Sequence, residues 1–338
     1  MIVHPSIATQ LRAGIAVTLA GLWLAAPARA LEPGETPEVE AFIQEMSAKH
    51  QLDPESLREI FARVEIRDDI LEAMRRPAEA RPWHEYRQIF VTDESVRNGA
   101  KFWKKHARTL ERASAEYGVE PEIIVAIIGV ETRYGRSTGR YRVIDALTTL
   151  AFRYPERAAF FRKELEEYLL LCLELDVGPL TFNGSYAGAM GAPQFIPSSY
   201  RRYAVDFDGD GRRDLLGSMD DAIGSVANYF RAHGWRRGEP VVTDARIEGT
   251  PYAWMESDRA EPNVSLKRMR EYGVLPVRDI DIEQLATLVS LEGEDGVMHR
   301  LGYRNFYVIT RYNRSKRYAM AVWELSVMIK ERYAGESG

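Results

Sequence analysis

Apolar residues recur at helical spacing through most of the chain. Asp53 can cap a helix and Pro54 suits its first turn, so this pair is typical of a helix start. Leu57, Phe61 and Val64 then follow at the three- and four-residue intervals that place side chains on one helical face. The pattern predicts helices through 36–116, with further helices at 143–150, 160–175, 222–233 and 315–333.

One segment is almost wholly apolar and ends in a carboxylate. Pro121 favours a helix start and Gly135 a helix end, although the apolar run between them also fits a buried strand. Glu131 should therefore lie at the edge of a hydrophobic interior, where burial disfavours the charged form of a carboxyl. A carboxyl that stays protonated near neutral pH is a candidate general acid. The alternative is an ion pair of Glu131 with Arg133 or Arg136 at the helix end.

The segment 236–281 has a different pattern. Short apolar runs at 240–243 and 245–247 are followed by turn-forming residues at 249–251. This arrangement predicts a small β-rich insertion between helical regions.

Small residues dominate the segment 178–197. Glycine and alanine leave little side chain in the way, which lets a ligand or another backbone come close. Ser185 and Gln194 add neutral groups that can hydrogen-bond hydroxyls and acetamido groups. The alternative is a tight packed turn that binds no ligand.

An acidic loop follows, with the spacing of an EF-hand calcium loop. Acids occupy its first, third, fifth and ninth positions: Asp206, Asp208, Asp210 and Asp214. Gly211 occupies the sixth position, but Gly217 stands at the twelfth, where the motif has a glutamate. Asp221, or its neighbour Asp220, could complete the ligand shell. The alternatives are helix capping for these two acids and a solvated acidic turn for the loop.

The first thirty residues have the pattern of a secretory signal. Arg12 precedes an uncharged, mostly apolar run at 13–26, and small residues flank Arg29. We expect cleavage after residue 30 and no transmembrane anchor, because a membrane span needs about 20 apolar residues. The single cysteine, Cys172, lies well inside the chain, so we expect neither a lipid-bearing cysteine after the signal nor a disulfide within the chain.

Composition indicates a globular protein. The chain has 45 Lys and Arg against 50 Asp and Glu, a net charge of −5, and no basic block. This balance argues against nucleic acid as a partner. The 338 residues are enough for a large core and for more than one domain.

Several motifs in this chain together resemble the lytic murein transglycosylase B family. They are residues 129–135, residues 185–195, the acidic loop, residues 222–235 and residues 306–313. The resemblance covers nearly all of the chain after residue 30. It implies a mainly α (α+β) fold: a lysozyme-like helical core with an added helical domain and a small β-rich subdomain. With the patterns above it divides the chain into a signal peptide at 1–30, a helical domain at 31–116, a catalytic core at 117–235 that holds the EF-hand-like loop 206–221, a β-rich subdomain at 236–281 and a return to the core at 282–338.

The resemblance also implies an activity and a set of site residues. Glu131 would protonate the glycosidic oxygen between N-acetylmuramic acid and N-acetylglucosamine, then act as base on the sugar's own 6-hydroxyl, which closes a 1,6-anhydro ring. Aromatic and neutral polar residues match positions that the family places around the glycan: Tyr86, Ser185, Gln194, Tyr229, Tyr312, Asn313 and Tyr318. On the residues alone, the last three could equally cap and pack the start of a helix.

The resemblance implies peptidoglycan glycan strands as the partner, with other cell-wall enzymes as candidate partners. It implies a structural calcium ion and no organic cofactor. Some family members carry a lipid on a cysteine that this chain lacks, so we expect a periplasmic, soluble protein. A hydrolytic muramidase and a non-catalytic glycan-binding module remain as alternatives.

Overall fold

The computed structural model describes residues 29–30, 36–75, 81–249, 253–256, 260–278 and 280–337. Fourteen α-helices occur in this part of the chain: α1 (Pro37–His50), α2 (Pro54–Phe61), α3 (Asp68–Met74), α4 (Trp83–Phe90), α5 (Asp93–Lys105), α6 (Ala107–Tyr117), α7 (Pro121–Thr132), α8 (Val143–Arg153), α9 (Ala158–Glu174), α10 (Pro197–Tyr203), α11 (Met219–Ala232), α12 (Leu266–Glu271), α13 (Arg304–Tyr312) and α14 (Lys316–Ser337). The mainly helical fold class is confirmed, and the four separately predicted helices are α8, α9, α11 and α14.

The central helix is α7, and the apolar run that also fitted a strand is helical. Nine of its twelve residues are buried, so it has almost no solvent-facing side. Each fully buried isoleucine in it stabilises the fold by about 1.5–3 kcal/mol. Lys330 of α14 forms a salt bridge of 2.6 Å with Glu122 in the first turn of α7, which ties the two helices together.

The nine described strands are short. They are β1 (Arg29–Ala30), β2 (Glu65–Ile66), β3 (Tyr141–Arg142), β4 (Asn183–Gly184), β5 (Val242–Ile247), β6 (Val264–Ser265), β7 (Val274–Pro276), β8 (Leu285–Glu292) and β9 (Val297–Gly302). The strand β1 pairs with β2 and β3 with β4, while the other five form an antiparallel sheet in the order β6-β8-β9-β5-β7.

The predicted β-rich segment is present, but its sheet extends beyond the predicted boundary at 281. The strands β8 and β9 lie at 285–302 and form the centre of the sheet. Because β9 pairs with β5 and β8 pairs with β6, these later strands satisfy the hydrogen bonds of the earlier ones. The sequence pattern failed here because a strand's partners are not encoded next to it in the chain.

Two hydrophobic cores result. The main core joins the helices from α1 to α14 except α12, and a smaller one, which includes Met269 of α12 and Leu288 of β8, lies beneath the sheet. None of the helices in the described part of the chain combines the length and apolar character that a membrane span requires. The predicted signal peptide falls, apart from Arg29 and Ala30, outside the described residues.

Candidate active site

Glu131 lies in the last turn of α7, where the buried helix reaches the surface. Its side chain is half-buried, beside Val130 at 8% exposure and Thr132 at 0%. The hydroxyl of Tyr318 donates a hydrogen bond of 2.5 Å to Oε1 of Glu131. Arg136, one of the two predicted ion-pair partners, instead donates to Oδ1 of Asn98 at 3.4 Å.

Tyr318 brings the start of α14 to the carboxylate. Ser315 accepts a hydrogen bond from the Tyr318 backbone N–H at 3.2 Å and so caps this helix. Burial and the negative charge of Glu131 raise the pKa of Tyr318 well above its ordinary value of 10.0. The phenol therefore stays protonated and remains a hydrogen-bond donor across the physiological pH range.

The chain leaves α7 through three consecutive residues in the left-handed region. Their φ angles are 50° at Arg133, 65° at Tyr134 and 82° at Gly135. The left-handed conformation costs about 1–2 kcal/mol for each non-glycine residue, so surrounding contacts must hold the turn. The Tyr134 hydroxyl donates to the Ser95 carbonyl at 2.7 Å, and its ring packs on Gly129, where a Cβ would lie only 2.8 Å away.

Thr132 joins this turn to the loop of small residues. Its buried hydroxyl donates to the Ala192 carbonyl at 2.8 Å and accepts from the Gly135 N–H at 3.0 Å. The sequence pattern did not indicate Thr132 as a site residue. The available signal was a polar side chain beside Glu131, at the end of an otherwise apolar run.

Ser185 and Gln194 both lie in the loop of small residues, and both hold its backbone in place. The Ser185 hydroxyl oxygen accepts from the N–H groups of Ala187 and Ala189 at 3.2 and 3.1 Å. Gln194, at a φ of 51°, donates through Nε2 to the Thr138 and Gly191 carbonyls at 3.1 and 3.0 Å. Both side chains are half-buried, so the packed-turn interpretation and a ligand-binding role are compatible.

Tyr229 and Tyr312 form an aromatic cluster beside Glu131. Their ring centroids lie 4.8 Å apart, and Phe195 packs within 5.5 and 5.9 Å of them. The Tyr312 hydroxyl donates to the Pro193 carbonyl at 2.6 Å. Burial raises the pKa of both tyrosines, and the negative charge of Glu131 raises the pKa of each further. The structure thus brings Glu131, Tyr229, Tyr312 and Tyr318 together from three different regions of the chain.

Asn313 and Tyr86 occupy less direct positions. Asn313 ends α13, and its Oδ1 accepts from the Ser315 N–H at 3.2 Å. Tyr86 lies on α4 at 1% exposure, with Phe90 at a centroid distance of 5.3 Å. Its predicted contact with substrate stays a prediction.

The acidic loop groups three of its carboxylates. Ligand oxygens of Asp206, Asp208 and Asp210 lie within 4.8 Å of one another, and all three side chains are exposed. The loop backbone turns around Asp206, whose carboxylate accepts from the N–H groups of Gly209 and Gly211 at 2.7 and 2.8 Å. Oxygens so close together fit a hard divalent cation such as Ca²⁺.

The predicted ligands Asp214 and Asp221 lie outside this group. Asp221 is fully buried, and its two oxygens accept from the N–H groups of Phe207 and Asp214 at 2.6 and 2.7 Å. Oδ1 of Asp214 accepts from the Gly217 N–H at 2.8 Å, and a Cβ on Gly217 would lie 2.4 Å from Oδ2. This contact explains why glycine stands at the twelfth loop position.

Leu215 connects the acidic loop to the loop beside Glu131. The Leu215 carbonyl accepts from the Ala192 N–H at 3.1 Å, and a Cβ on Gly191 would lie 2.2 Å from that oxygen. Ala192 in turn accepts the Thr132 hydrogen bond. One continuous path of hydrogen bonds therefore runs from the acidic loop to the residue next to Glu131.

Comparison with known proteins places this helical fold among the lytic transglycosylases. The chain belongs to the Transglycosylase SLT domain family, whose model matches residues 34–327. It is 43% identical over 301 residues to membrane-bound lytic murein transglycosylase B of Escherichia coli (strain K12), across 86% of this chain and 81% of the relative.

Solved structures agree. Soluble lytic transglycosylase SltB1 from Pseudomonas aeruginosa superposes with a TM-score of 0.83 at 50% identity, covering 88% of this chain and 100% of SltB1. The Escherichia coli lytic transglycosylase Slt35 in complex with calcium gives 0.82 at 42% identity, covering 91% of this chain and 97% of Slt35. The expected family and the lysozyme-like fold are thereby confirmed.

Proposed function

We propose that this protein is a peptidoglycan lytic transglycosylase that cleaves the β-1,4 bond between N-acetylmuramic acid and N-acetylglucosamine. The observation that carries the proposal is the Glu131 carboxyl held at 2.5 Å by Tyr318, at the end of a buried helix and beside two further tyrosines. Membership of the transglycosylase family supports it.

The proposed chemistry uses Glu131 twice. As acid it protonates the glycosidic oxygen, and as base it then takes the proton of the sugar's 6-hydroxyl, whose oxygen attacks the anomeric carbon. The new C–O bond closes a 1,6-anhydro ring and no water is consumed. Ordinary glycosidases use two carboxyl groups, whereas an internal nucleophile allows one carboxyl to perform both proton transfers. The donated Tyr318 hydrogen bond stabilises the carboxylate that exists between them.

Two measurements test this proposal. Glu131→Gln should abolish the release of fragments from purified peptidoglycan, while Glu59→Gln, at an exposed position on α2, should behave as wild type. The products should be lighter by one water than the products of hydrolysis, which mass spectrometry resolves. Products without the anhydro end would indicate the muramidase, and an active Glu131→Gln would remove this residue from the mechanism.

We propose that neutral and aromatic groups around Glu131 bind the glycan. Ser185, Gln194, Tyr229, Tyr312 and Asn313 supply the aromatic faces and hydrogen-bonding groups that sugars require. Tyr86 of α4 is proposed as a further aromatic residue of this glycan site.

We propose a structural calcium ion in the acidic loop, held by Asp206, Asp208 and Asp210. Slt35, a relative, has been solved in complex with calcium. Asp214 and either Asp221 or its neighbour Asp220 are proposed to complete the shell. When bound, the ion would neutralise the clustered carboxylates.

Thermal unfolding tests the ion. Adding calcium to the chelated protein should raise the melting temperature, because a ligand that binds only the folded state stabilises it. The triple variant D206N/D208N/D210N should not respond to calcium. Equal responses of wild type and variant would show that these three residues do not hold the ion.

We also propose that residues 1–30 direct export and that the protein acts in the periplasm, with residues 31–116 forming a helical domain beside the core. Fractionation of cells that express the full chain tests this. A periplasmic product that starts at Leu31 is expected, and an uncleaved cytoplasmic protein would contradict it.

A further inference from the structure

A basic cleft lies beside the proposed catalytic residues and has no part in the chemistry described above. We define it as the cleft of about 510 Å³ lined by Ser290 and Leu291 of β8 and by residues 313–317. Three of the five residues at 313–317 are cations: Arg314, Lys316 and Arg317. The volume is within the range of about 300–1,000 Å³ that is typical of ligand sites.

The charges of this cleft are only partly balanced. Arg317 forms a salt bridge of 3.3 Å with Glu292, and the Ser290 hydroxyl donates to Glu256 on the sheet side. Within the described residues, neither Arg314 nor Lys316 forms a salt bridge. The first turn of the 22-residue helix α14 adds the positive end of its dipole at the same place. An anion is therefore the ligand that this cleft attracts.

The cleft is continuous with the proposed sugar site. Asn313 lines it, and Tyr318, which follows Arg317, donates to Glu131. Tyr312, which precedes Asn313, packs on Tyr229 with ring centroids 4.8 Å apart. A substrate whose sugar contacts Asn313 would thus place a substituent of that sugar in the cleft that Arg314 also lines.

We propose that the basic cleft binds a carboxylate of the peptide stem on peptidoglycan, which makes Arg314 and Lys316 specificity residues. This inference rests on the proposed function, because it takes peptidoglycan as the substrate. N-acetylglucosamine is uncharged, so the carboxylates of a peptidoglycan strand lie on its peptides and, where the peptide has been removed, on the lactyl group. A peptide carboxylate extends further from the sugar and suits a cleft set to one side of Glu131.

Three substrates and three proteins test the proposal. The substrates are strands with free peptide carboxylates, the same strands with those carboxylates converted to amides, and strands freed of peptide by an amidase. The proteins are wild type, R314Q/K316Q, and a control K267Q/R270Q that removes two exposed charges from α12. Thermal melting establishes that each protein is folded before kcat/KM is compared.

We expect wild type and the control to have a kcat/KM about threefold to tenfold higher for free-carboxylate strands than for amidated strands. This ratio corresponds to the free energy that two exposed charge pairs contribute. The double variant should bring that ratio close to one. Salt should shrink the wild-type ratio, since an exposed charge pair is weakened as the Debye length falls from about 10 Å at 0.1 M to about 3 Å at 1 M. A ratio that the double variant leaves unchanged overturns the proposal. A loss confined to peptide-free strands overturns it too, because the bound anion would then be the lactyl group.

A binding measurement distinguishes a failure of this inference from a failure of the proposed function. Calorimetry measures how tightly the Glu131→Gln variant binds a peptide-bearing disaccharide whose peptide carboxylates are either free or amidated. Because this variant lacks the proposed catalytic carboxyl, binding is measured without cleavage. If the variant binds the free carboxylate more tightly but wild type cleaves no strand, the proposed function is removed and the anion site remains. If the variant binds the two ligands equally while wild type is active, the anion site is removed and the proposed function remains.

Discussion

Thr132→Val tests whether the loop beside Glu131 is held by a single hydroxyl. Valine has nearly the same shape as threonine but cannot hydrogen-bond, so the packing around this fully buried side chain is kept. The substitution removes the bond to the Ala192 carbonyl, 2.8 Å, and the bond from the Gly135 N–H, 3.0 Å.

The magnitude follows from the two groups left without a partner. A buried polar group without a hydrogen bond costs about 1–3 kcal/mol, and this full cost applies to Ala192, which is 5% exposed. The cost at Gly135 is smaller, because this residue is only half-buried and water can reach it. We expect a loss of about 2–4 kcal/mol in the free energy of unfolding. The left-handed turn at 133–135 loses a restraint, so Glu131 should also lose its orientation.

The assay combines thermal unfolding with the release of anhydro fragments from purified peptidoglycan. We expect Thr132→Val to melt at a lower temperature and to lose kcat by at least about tenfold, which corresponds to about 1.4 kcal/mol. Thr132→Ser keeps the hydroxyl and should retain most of both properties. A valine variant that melts and cleaves like wild type would refute the argument that this hydrogen bond positions Glu131.

Three further predictions follow. Tyr318→Phe removes a hydrogen bond to a charged group, worth about 1.5–3 kcal/mol, so kcat should fall about tenfold to hundredfold in steady-state assays; a change of less than about twofold would remove Tyr318 from the mechanism. Gly129→Ala should destabilise in chemical denaturation although alanine favours helices by about 1 kcal/mol, because the new Cβ would lie 2.8 Å from the Tyr134 ring and overpacking costs about 1–3 kcal/mol; a more stable variant would show that the ring moves freely. Burial lowers the pKa of His233 below its ordinary 6.5, so the folded state favours the neutral ring and loses stability as pH falls below that value. His233→Phe keeps the ring against Tyr229, and its melting temperature should fall less on acidification than that of wild type, whereas equal falls would contradict the assignment.

The local patterns of the chain predict its helices and strands well, but they do not predict which strands pair with each other. The apolar run after Pro121 predicted a buried segment that ends at a carboxylate; the run alone also fitted a strand, and Pro121 and Gly135 favoured the helix that the structure contains. The β-rich insertion was recognised from short runs and turn residues, while β8 and β9 were placed outside it. Strand pairing depends on residues far apart in the chain, and these two strands find their partners only in the folded sheet.

The same distinction applies to the site. Three parts of the site can be recognised from neighbouring residues alone: Glu131, the loop of small residues and the acidic loop. A lone carboxylate in an apolar run, a cluster of glycines and a series of alternating acids are each unusual local patterns. Thr132 carried only a faint signature, and the spacing that indicated Asp221 as a ligand did not show that both its oxygens hold the loop backbone. A spacing pattern counts oxygens but does not show which N–H groups donate to them.

The sequence by itself determined the mainly helical class and the buried segment that forms α7, with Glu131 at its end. It also determined which acids can gather around a cation. These depend on interactions within about one turn of helix or loop, so they can be read from neighbouring residues. Only the tertiary structure decided that Tyr318, 187 residues away, donates to Glu131, that Thr132 reaches Ala192, and that a basic cleft opens beside them. Such contacts depend on how buried helices pack, and packing is a property of the whole chain.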